Sequence, residues 1–135
     1  MWNSEKKNWT DAEDFCQKEG GHLASVHSDA AVDFVLQGMA RLGLDIAWLG
    51  GNDIEQEGAW QWTDCTPWDF TFWARGEPTG WEGEDCLTQV FNFTGQGHLD
   101  RKWNDWNCGG RYRGFLCSKK ICSGRNNRDL TRSTK

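Results

Sequence analysis

The side chains best suited to chemistry in this 135-residue chain are carboxylates and side-chain amides in three short clusters. The clusters are NDIEQEG (Asn52, Asp53, Glu55, Glu57), GEPTGWEGEDC (Glu77, Glu82, Glu84, Asp85) and KWNDWNC (Asn104, Asp105, Asn107). Carboxylates that are buried near one another resist ionisation unless a cation compensates their charge. Calcium prefers roughly six to eight oxygen ligands of these kinds. The clusters therefore predict a calcium site, with a solvated acidic surface as the alternative.

Cysteines form the second reactive set: Cys16, Cys65, Cys86, Cys108, Cys117 and Cys122. An even number in a small chain predicts three disulfides and an oxidising, extracellular compartment. A zinc site is poorly supported, because the chain has no CxxC pair and only three histidines, His22, His27 and His98. A bond between Cys86 and Cys108 would draw the second and third acidic clusters together.

Charge is distributed unevenly along the chain. Residues 123–135 hold four basic side chains against one aspartate, a net charge of +3. Because the whole chain carries −5, residues 1–122 carry −8, which argues against nucleic acid as a partner. We expect one domain over 1–122 and a disordered basic tail over 123–135. The chain opens without a signal peptide, which indicates a mature or excised domain with an added start methionine, and no apolar run is long enough for a membrane span.

Two segments have helical periodicity. NWTDAEDFCQKEGG predicts a first helix with Thr10 and Glu13 as its capping box and a Gly-Gly pair at its end. SDAAVDFVLQGMARLG predicts a second helix that is capped by Ser28 or Asp29 and ends at Gly43. Its apolar face would consist of Val32, Val35, Leu36 and Met39.

The rest of the chain is typical of short strands around one long loop. IAWLG, GAWQWTD, CLTQVFNF and RGFLCSK are aromatic or β-branched and are bounded by turn residues. Between Trp62 and Cys86 no regular period survives, and so long a loop in a compact domain points to a functional role. The predicted fold class is α+β, with two helices packed on short antiparallel strands.

Eight segments in order resemble the C-type lectin-like domain over nearly the whole chain up to Cys122. They are WTDAEDFC, GGHLASVHS, WLGG, GAWQWTD, GEPTG, GEDC, WNDWNC and GFLC. The resemblance implies the C-type lectin fold in its short form, without an N-terminal hairpin, and a secreted calcium-dependent domain that is not an enzyme. It also implies disulfides from Cys16 to Cys117 and from Cys86 to Cys108, which leave Cys65 and Cys122 to pair with each other.

The resemblance also implies two calcium sites. The principal site would be formed by Glu77, Thr79, Glu84, Asn104 and Asp105, with Pro78 as the family's cis proline. Sugar hydroxyls bind this calcium in the family, so the same five residues, together with Trp81, are the predicted carbohydrate site. The auxiliary calcium site would be formed by Asp53, Glu57, Glu84 and Asp85.

Thr79 departs from the family pattern, which has an amide or a carboxylate at that position. A hydroxyl can still bind calcium, but it replaces both the carbonyl oxygen and the N–H₂ donor of an asparagine. We therefore expect weaker calcium binding and less secure sugar binding. Glu77 resembles the mannose-type triplet, whereas Trp81 could stack on a sugar as aromatics do in galactose-type relatives, or could simply pack in the loop.

The sequence is compatible with more than one kind of ligand. The predicted partners are glycans or glycoproteins, including the microbial surface sugars met in innate immunity, with oligomerisation to raise avidity. The resemblance is also compatible with a protein ligand instead of sugar, or with ice, because some fish antifreezes resemble this fold. Asn8 and Asn92 begin N-x-T glycosylation sequons, and the sequence leaves open whether either carries a glycan.

Overall fold

The computed structural model describes residues 1–80, 83–92, 97–120 and 122. The predicted basic tail, 123–135, lies outside the described residues. The elements in chain order are β1 (Trp2–Lys7), α1 (Trp9–Lys18), β2 (His22–Leu23), α2 (Asp29–Leu42), β3 (Ile46–Asn52), β4 (Gln61–Trp62), β5 (Cys86–Val90), a short 3-10 helix (Gly97–Leu99), β6 (Trp103–Trp106) and β7 (Tyr112–Ser118). Neither α-helix in this described part is long and apolar enough to cross a membrane.

The strands form a mixed sheet in the order β1-β7-β3-β5-β6, with β2 beside β7 and β4 beside β3. The predicted α+β class is confirmed. One strand pair differs from the expected antiparallel arrangement, because β3 and β7 run parallel, with Trp48 opposite Phe115. Strand β1 was not predicted, since its polar residues lack an apolar alternation and its place depends on pairing with β7. The Trp2 side chain lies against Gly38, where an added Cβ would come within 2.2 Å of Trp2 Nε1.

The predicted cap of the first helix was wrong. Asn8, not Thr10, is the N-cap of α1, and its side chain accepts a hydrogen bond from the Asp11 amide at 2.8 Å. Thr10 lies one position inside the helix and is exposed. Glu13 is buried and ties α1 to β2, accepting from the Leu23 amide at 2.9 Å and lying 2.6 Å from His22 Nδ1.

The second helix follows its sequence pattern. Ser28 caps α2 by accepting from the Ala31 amide at 3.1 Å, and Gly43 ends the helix in the left-handed conformation at φ 69°. The core between α2 and the sheet contains Val32, Val35 and Met39 from the predicted apolar face. Burial of these side chains is the main term that holds α2 on the sheet.

The long loop has little regular structure of its own, and aromatic packing holds it in place. Ring centroids of Trp62 and Trp68 lie 4.7 Å apart, and those of Trp60 and Trp73 lie 4.8 Å apart. Trp103 in β6 is fully buried and contacts both Trp62 and Trp73. The loop is therefore packed against the strand that carries Asn104 and Asp105.

Three disulfides and one polar network connect segments that are distant in sequence. The bonds join Cys16 to Cys117, Cys65 to Cys122 and Cys86 to Cys108, which are the pairs that the resemblance implied. Near Cys65, the buried carboxylate of Asp64 accepts from the hydroxyls of Ser25 and Thr66. His27 Nε2 lies 3.0 Å from both hydroxyls, so the start of the long loop is tied to the segment before α2.

Candidate functional site

The acidic clusters converge where three strands of the sheet meet the long loop. Asp53 follows β3 and Asp85 precedes β5, and the Asp53 amide donates to the Asp85 carbonyl at 3.0 Å. Asp105 lies within β6, opposite Leu87 of β5. The fold thus brings residues from all three predicted clusters to one end of the sheet.

The predicted principal site is organised around Thr79, which follows the cis Glu77-Pro78 bond. The Thr79 amide donates to Asp105 Oδ2 at 3.0 Å. The Thr79 hydroxyl lies 2.8 Å from Glu84 Oε1 and 3.2 Å from Asp105 Oδ2. A hydroxyl has one proton to donate, and the shorter contact favours Glu84 as its acceptor. Thr79 therefore connects two of the other predicted ligands through its own hydrogen bonds.

Glu77 is the most strongly perturbed carboxyl of this group. Its pKa is raised to about 8, chiefly by burial and also by the Asp105 side chain within hydrogen-bonding reach and by the negative charges of Asp105 and Glu84. Its Oε1 atom is buried and has no hydrogen-bond partner among the described residues. Two carboxylates can bond to each other only by sharing a proton, whereas a cation would satisfy both while they stay ionised.

A second group consists of Asp53, Glu57 and Asp85, whose carboxylate oxygens lie within 4.8 Å of one another. Burial raises the pKa of Asp53 and that of Asp85; the negative charge of Glu57 also raises the pKa of Asp53, and the charge of Asp53 also raises that of Asp85. In the described part of the chain, Oδ1 of Asp53 and Oδ1 of Asp85 are buried without a hydrogen-bond partner. Glu84, which the resemblance implied for both sites, accepts from the Thr79 hydroxyl, and its place in this second group stays a prediction.

A divalent cation with a preference for oxygen fits both groups. Asp53 and Asp105 are each 2% exposed and Asn104 is 6% exposed, so these side chains are largely withdrawn from water. Among the described residues, no carboxylate of either group forms an ion pair with a basic side chain; the four ion pairs found there involve carboxylates elsewhere. Buried carboxylates that lack a basic partner and carry unbonded oxygens are suited to Ca²⁺, which takes carboxylate and amide oxygens.

Two contributors to the site were missed in the sequence. The Gly80 amide lies 3.4 Å from Asp105 Oδ2, and a backbone donor of this kind leaves no residue-type signal. The pKa of Tyr112 is raised by burial and by the charge of Glu84, which places its phenol in the field of the acidic group. Trp81 and Glu82 lie outside the described residues, so the predicted stacking by Trp81 stays a prediction.

Comparison with known proteins places this geometry in context. The family model described as "Lectin C-type domain" matches residues 5–119. A protein named "Lectin" from Pleurodeles waltl is 37% identical over 116 residues, which are 82% of this chain and 63% of that protein, so the chain spans less than two thirds of this relative. A "C-type lectin galactose-binding isoform" from Pseudechis porphyriacus is 39% identical over 118 residues, covering 84% of this chain and 72% of that protein.

Two solved structures show the same fold. The cow carbohydrate-recognition domain of CD23, crystallised in the presence of a GlcNAc2Man3 oligosaccharide, has a TM-score of 0.73 and 30% identity, covering 87% of this chain and 83% of that chain. A calcium-independent type II antifreeze protein also has a TM-score of 0.73, with 28% identity, covering 85% of this chain and 82% of that chain. Structures this similar thus occur in proteins of different function.

Proposed function

This chain belongs to the C-type lectin domain family, a non-enzymatic recognition fold, and we propose that it is a calcium-dependent glycan-binding domain. The observation that carries the proposal is the convergence of buried carboxylates with unbonded oxygens, without a basic partner among the described residues, at one end of the sheet. The three disulfides support an extracellular location, where such bonds persist.

Two sets of residues would hold calcium. Glu77, Thr79, Glu84, Asn104 and Asp105 would form the principal site, and Asp53, Glu57 and Asp85 would form the auxiliary site with Glu84 nearby. Calcium at the principal site would coordinate vicinal sugar hydroxyls. The aromatic cluster and the Cys86–Cys108 bond hold the loop against the sheet, and this would keep the ligand oxygens in position before calcium binds.

Glu77 supports a mannose-type ligand, because the sequence Glu-Pro resembles the first half of the mannose-type triplet. The galactose-binding snake relative supports the other class. The Thr79 side chain provides no amide donor and directs its hydroxyl toward Glu84, so Asn104 is the side-chain amide of the proposed set. We therefore propose that the domain binds mannose-type glycans, including those on microbial surfaces, with low affinity at each site. Linking several such sites would raise the avidity.

A glycan array with calcium and with EDTA tests the proposal, together with a calorimetric calcium titration. We expect calcium-dependent binding to mannose-type glycans and weakened calcium binding in Asp53→Asn. Glu55→Gln is the matched control, because Glu55 is an exposed carboxylate two positions away that is not part of the three-carboxylate group. Calcium-dependent binding to galactose-type glycans alone would contradict the mannose assignment, and absence of calcium binding would contradict the whole proposal.

Ice is the second candidate ligand. The similarity to a calcium-independent antifreeze protein favours it, as do the direct hydrogen bonds that Thr79 makes to Glu84 in the loop and to Asp105 in β6. Thermal hysteresis measured with calcium and with EDTA separates this candidate from a lectin, because only an ice-binding protein would depress the freezing point beyond the colligative effect.

A further inference from the structure

The tripeptide Asn8-Trp9-Thr10 matches the acceptor sequence for N-linked glycosylation, and the proposed function makes no use of it. It lies where β1 gives way to α1. Asn8 has extended backbone angles, φ −80° and ψ 172°, and the helix begins at the next residue.

The two ends of the Asn8 amide have separate roles. Its carbonyl oxygen accepts from the Asp11 amide at 2.8 Å and so caps the helix. An N-linked glycan is attached through the amide nitrogen, and the product is still an amide with the same carbonyl oxygen. Glycosylation would therefore leave the cap of α1 in place.

The neighbouring side chains leave room for such a group. Trp9 is 6% exposed and points inward, where its Nε1 donates to the Leu49 carbonyl at 2.9 Å. Asn8 is half-buried and Thr10 is exposed, so the acceptor residue and its required threonine both reach the surface. The core contact in this tripeptide is made by Trp9 alone, and a glycan on Asn8 would not displace it.

We propose that Asn8 is an N-glycosylation site and that it carries its glycan while it caps α1. The inference rests on the extracellular location proposed above. The donor class is an oligosaccharide linked to a polyprenyl pyrophosphate. The bond from sugar C1 to the pyrophosphate oxygen breaks, the bond from C1 to Asn8 Nδ2 forms, Nδ2 loses one proton, and polyprenyl pyrophosphate leaves.

The test uses the full chain secreted from glycosylating eukaryotic cells behind a secretory leader. Peptide mass spectrometry, before and after glycan removal by an amidase in heavy-oxygen water, should show a glycan on Asn8 and its conversion to aspartate on release. Thr10→Ala should abolish the modification while keeping the Asn8 cap, with the melting temperature of the deglycosylated proteins within about 3 °C of each other. Thr10→Ser should keep the modification.

The disulfide state separates the two ways in which this test can fail. Secreted protein with all three disulfides and an unmodified Asn8 overturns the inference and leaves the extracellular location standing. Secreted protein that lacks the disulfides counts against the location, and the inference fails with it. The second sequon, at Asn92, yields a different peptide and is scored separately; residues 93 and 94 of that sequon lie outside the described residues.

Discussion

At the scale of single residues, Thr79 decides most about the proposed ligand. Its amide and hydroxyl donate to the two carboxylates that would otherwise face a ligand, Asp105 and Glu84. It follows the cis Glu77-Pro78 bond, and its amide bonds to Asp105 of β6. The proposed site therefore has a hydroxyl at the position where the resemblance implied a side-chain amide or carboxylate.

Replacing Thr79 with asparagine tests this account of the residue. We expect Thr79→Asn to strengthen binding to mannose-type glycans by about tenfold, because it restores a carbonyl ligand and an N–H₂ donor worth about 1.4 kcal/mol together. Glycan titration in calcium measures the effect. Thr66→Asn serves as the matched control, since Thr66 lies in the same loop and bonds to Asp64 instead. Equal affinity of Thr79→Asn and the parent would show that Thr79 does not limit binding.

At the scale of elements, the long loop and β6 behave as one unit. The loop has few backbone hydrogen bonds to the sheet, although the Ala74 amide donates to the Trp103 carbonyl at 2.9 Å. Its position depends mainly on the packed tryptophans, whose ring centroids lie 4.7 to 6.3 Å apart. A domain with ten tryptophans uses about half of them to replace the secondary structure that this loop lacks.

Trp68 is the side chain through which this unit can be tested. It contacts Trp60, Trp62, Trp73 and Trp103 and is only half-buried. We expect Trp68→Ala to cost about 2 kcal/mol of unfolding free energy, less than truncation of a fully buried tryptophan. Calcium affinity should also fall, because the loop that carries Glu77 loses its packing.

Urea unfolding and a calcium titration measure both effects of Trp68→Ala. Phe34→Ala is the control, because Phe34 is 63% exposed on α2 and contributes little burial. Loss of stability with unchanged calcium affinity would mean that the loop is positioned by its disulfide and hydrogen bonds alone.

At the scale of the whole molecule, the main electrostatic feature is an excess of negative charge in the body of the domain. The body carries −8, and at the end of the sheet Asp53 and Asp105 are buried while Glu77, Glu84 and Asp85 are half-buried. Calcium that binds only the folded arrangement would stabilise that arrangement by mass action. At a free calcium concentration a hundred times its Kd the gain is about 2.7 kcal/mol, which corresponds to a rise in melting temperature of roughly 5 to 10 °C for a domain of this size. Thermal unfolding in calcium and in EDTA checks this, and identical melting curves would rule out calcium.

The pH dependence of the calcium-free protein has a defined sign. The pKa of Glu77 rises from its ordinary value of 4.5 to about 8 on folding, and those of Asp53 and Asp85 rise as well. The folded state therefore holds these protons more tightly than the unfolded state. The stabilisation from Glu77 is fully present below a pH of about 4.5 and is lost as the pH rises toward 8.

Unfolding experiments in EDTA between pH 5 and about 8 should show falling stability from these groups. Glu77→Gln should flatten the trend, because it removes the carboxyl whose pKa rises from 4.5 to about 8 on folding. With calcium the trend should reverse, since binding requires ionised carboxylates and acid releases the ion. Stability in EDTA that rises with pH in the parent and is unaffected by Glu77→Gln would contradict this assignment.

The sequence by itself determined the parts of this protein that depend on local chemistry. Ser28 and Gly43 delimit α2 because a side-chain cap and a left-handed glycine are local signals. The order of motifs determined the family, and six cysteines indicated three disulfides.

Only the tertiary structure decided what depends on partners distant in sequence. Strand β1 depends on β7, and the tryptophan cluster depends on how the loop folds back onto β6. The hydrogen bond from Thr79 to Glu84 and the approach of Asp53, Glu57 and Asp85 to one another likewise depend on the folded loop, whereas the place of Glu84 in the auxiliary site stays a prediction. The residue types determine which atoms are available for binding, but contacts made across the whole chain determine the position of each atom.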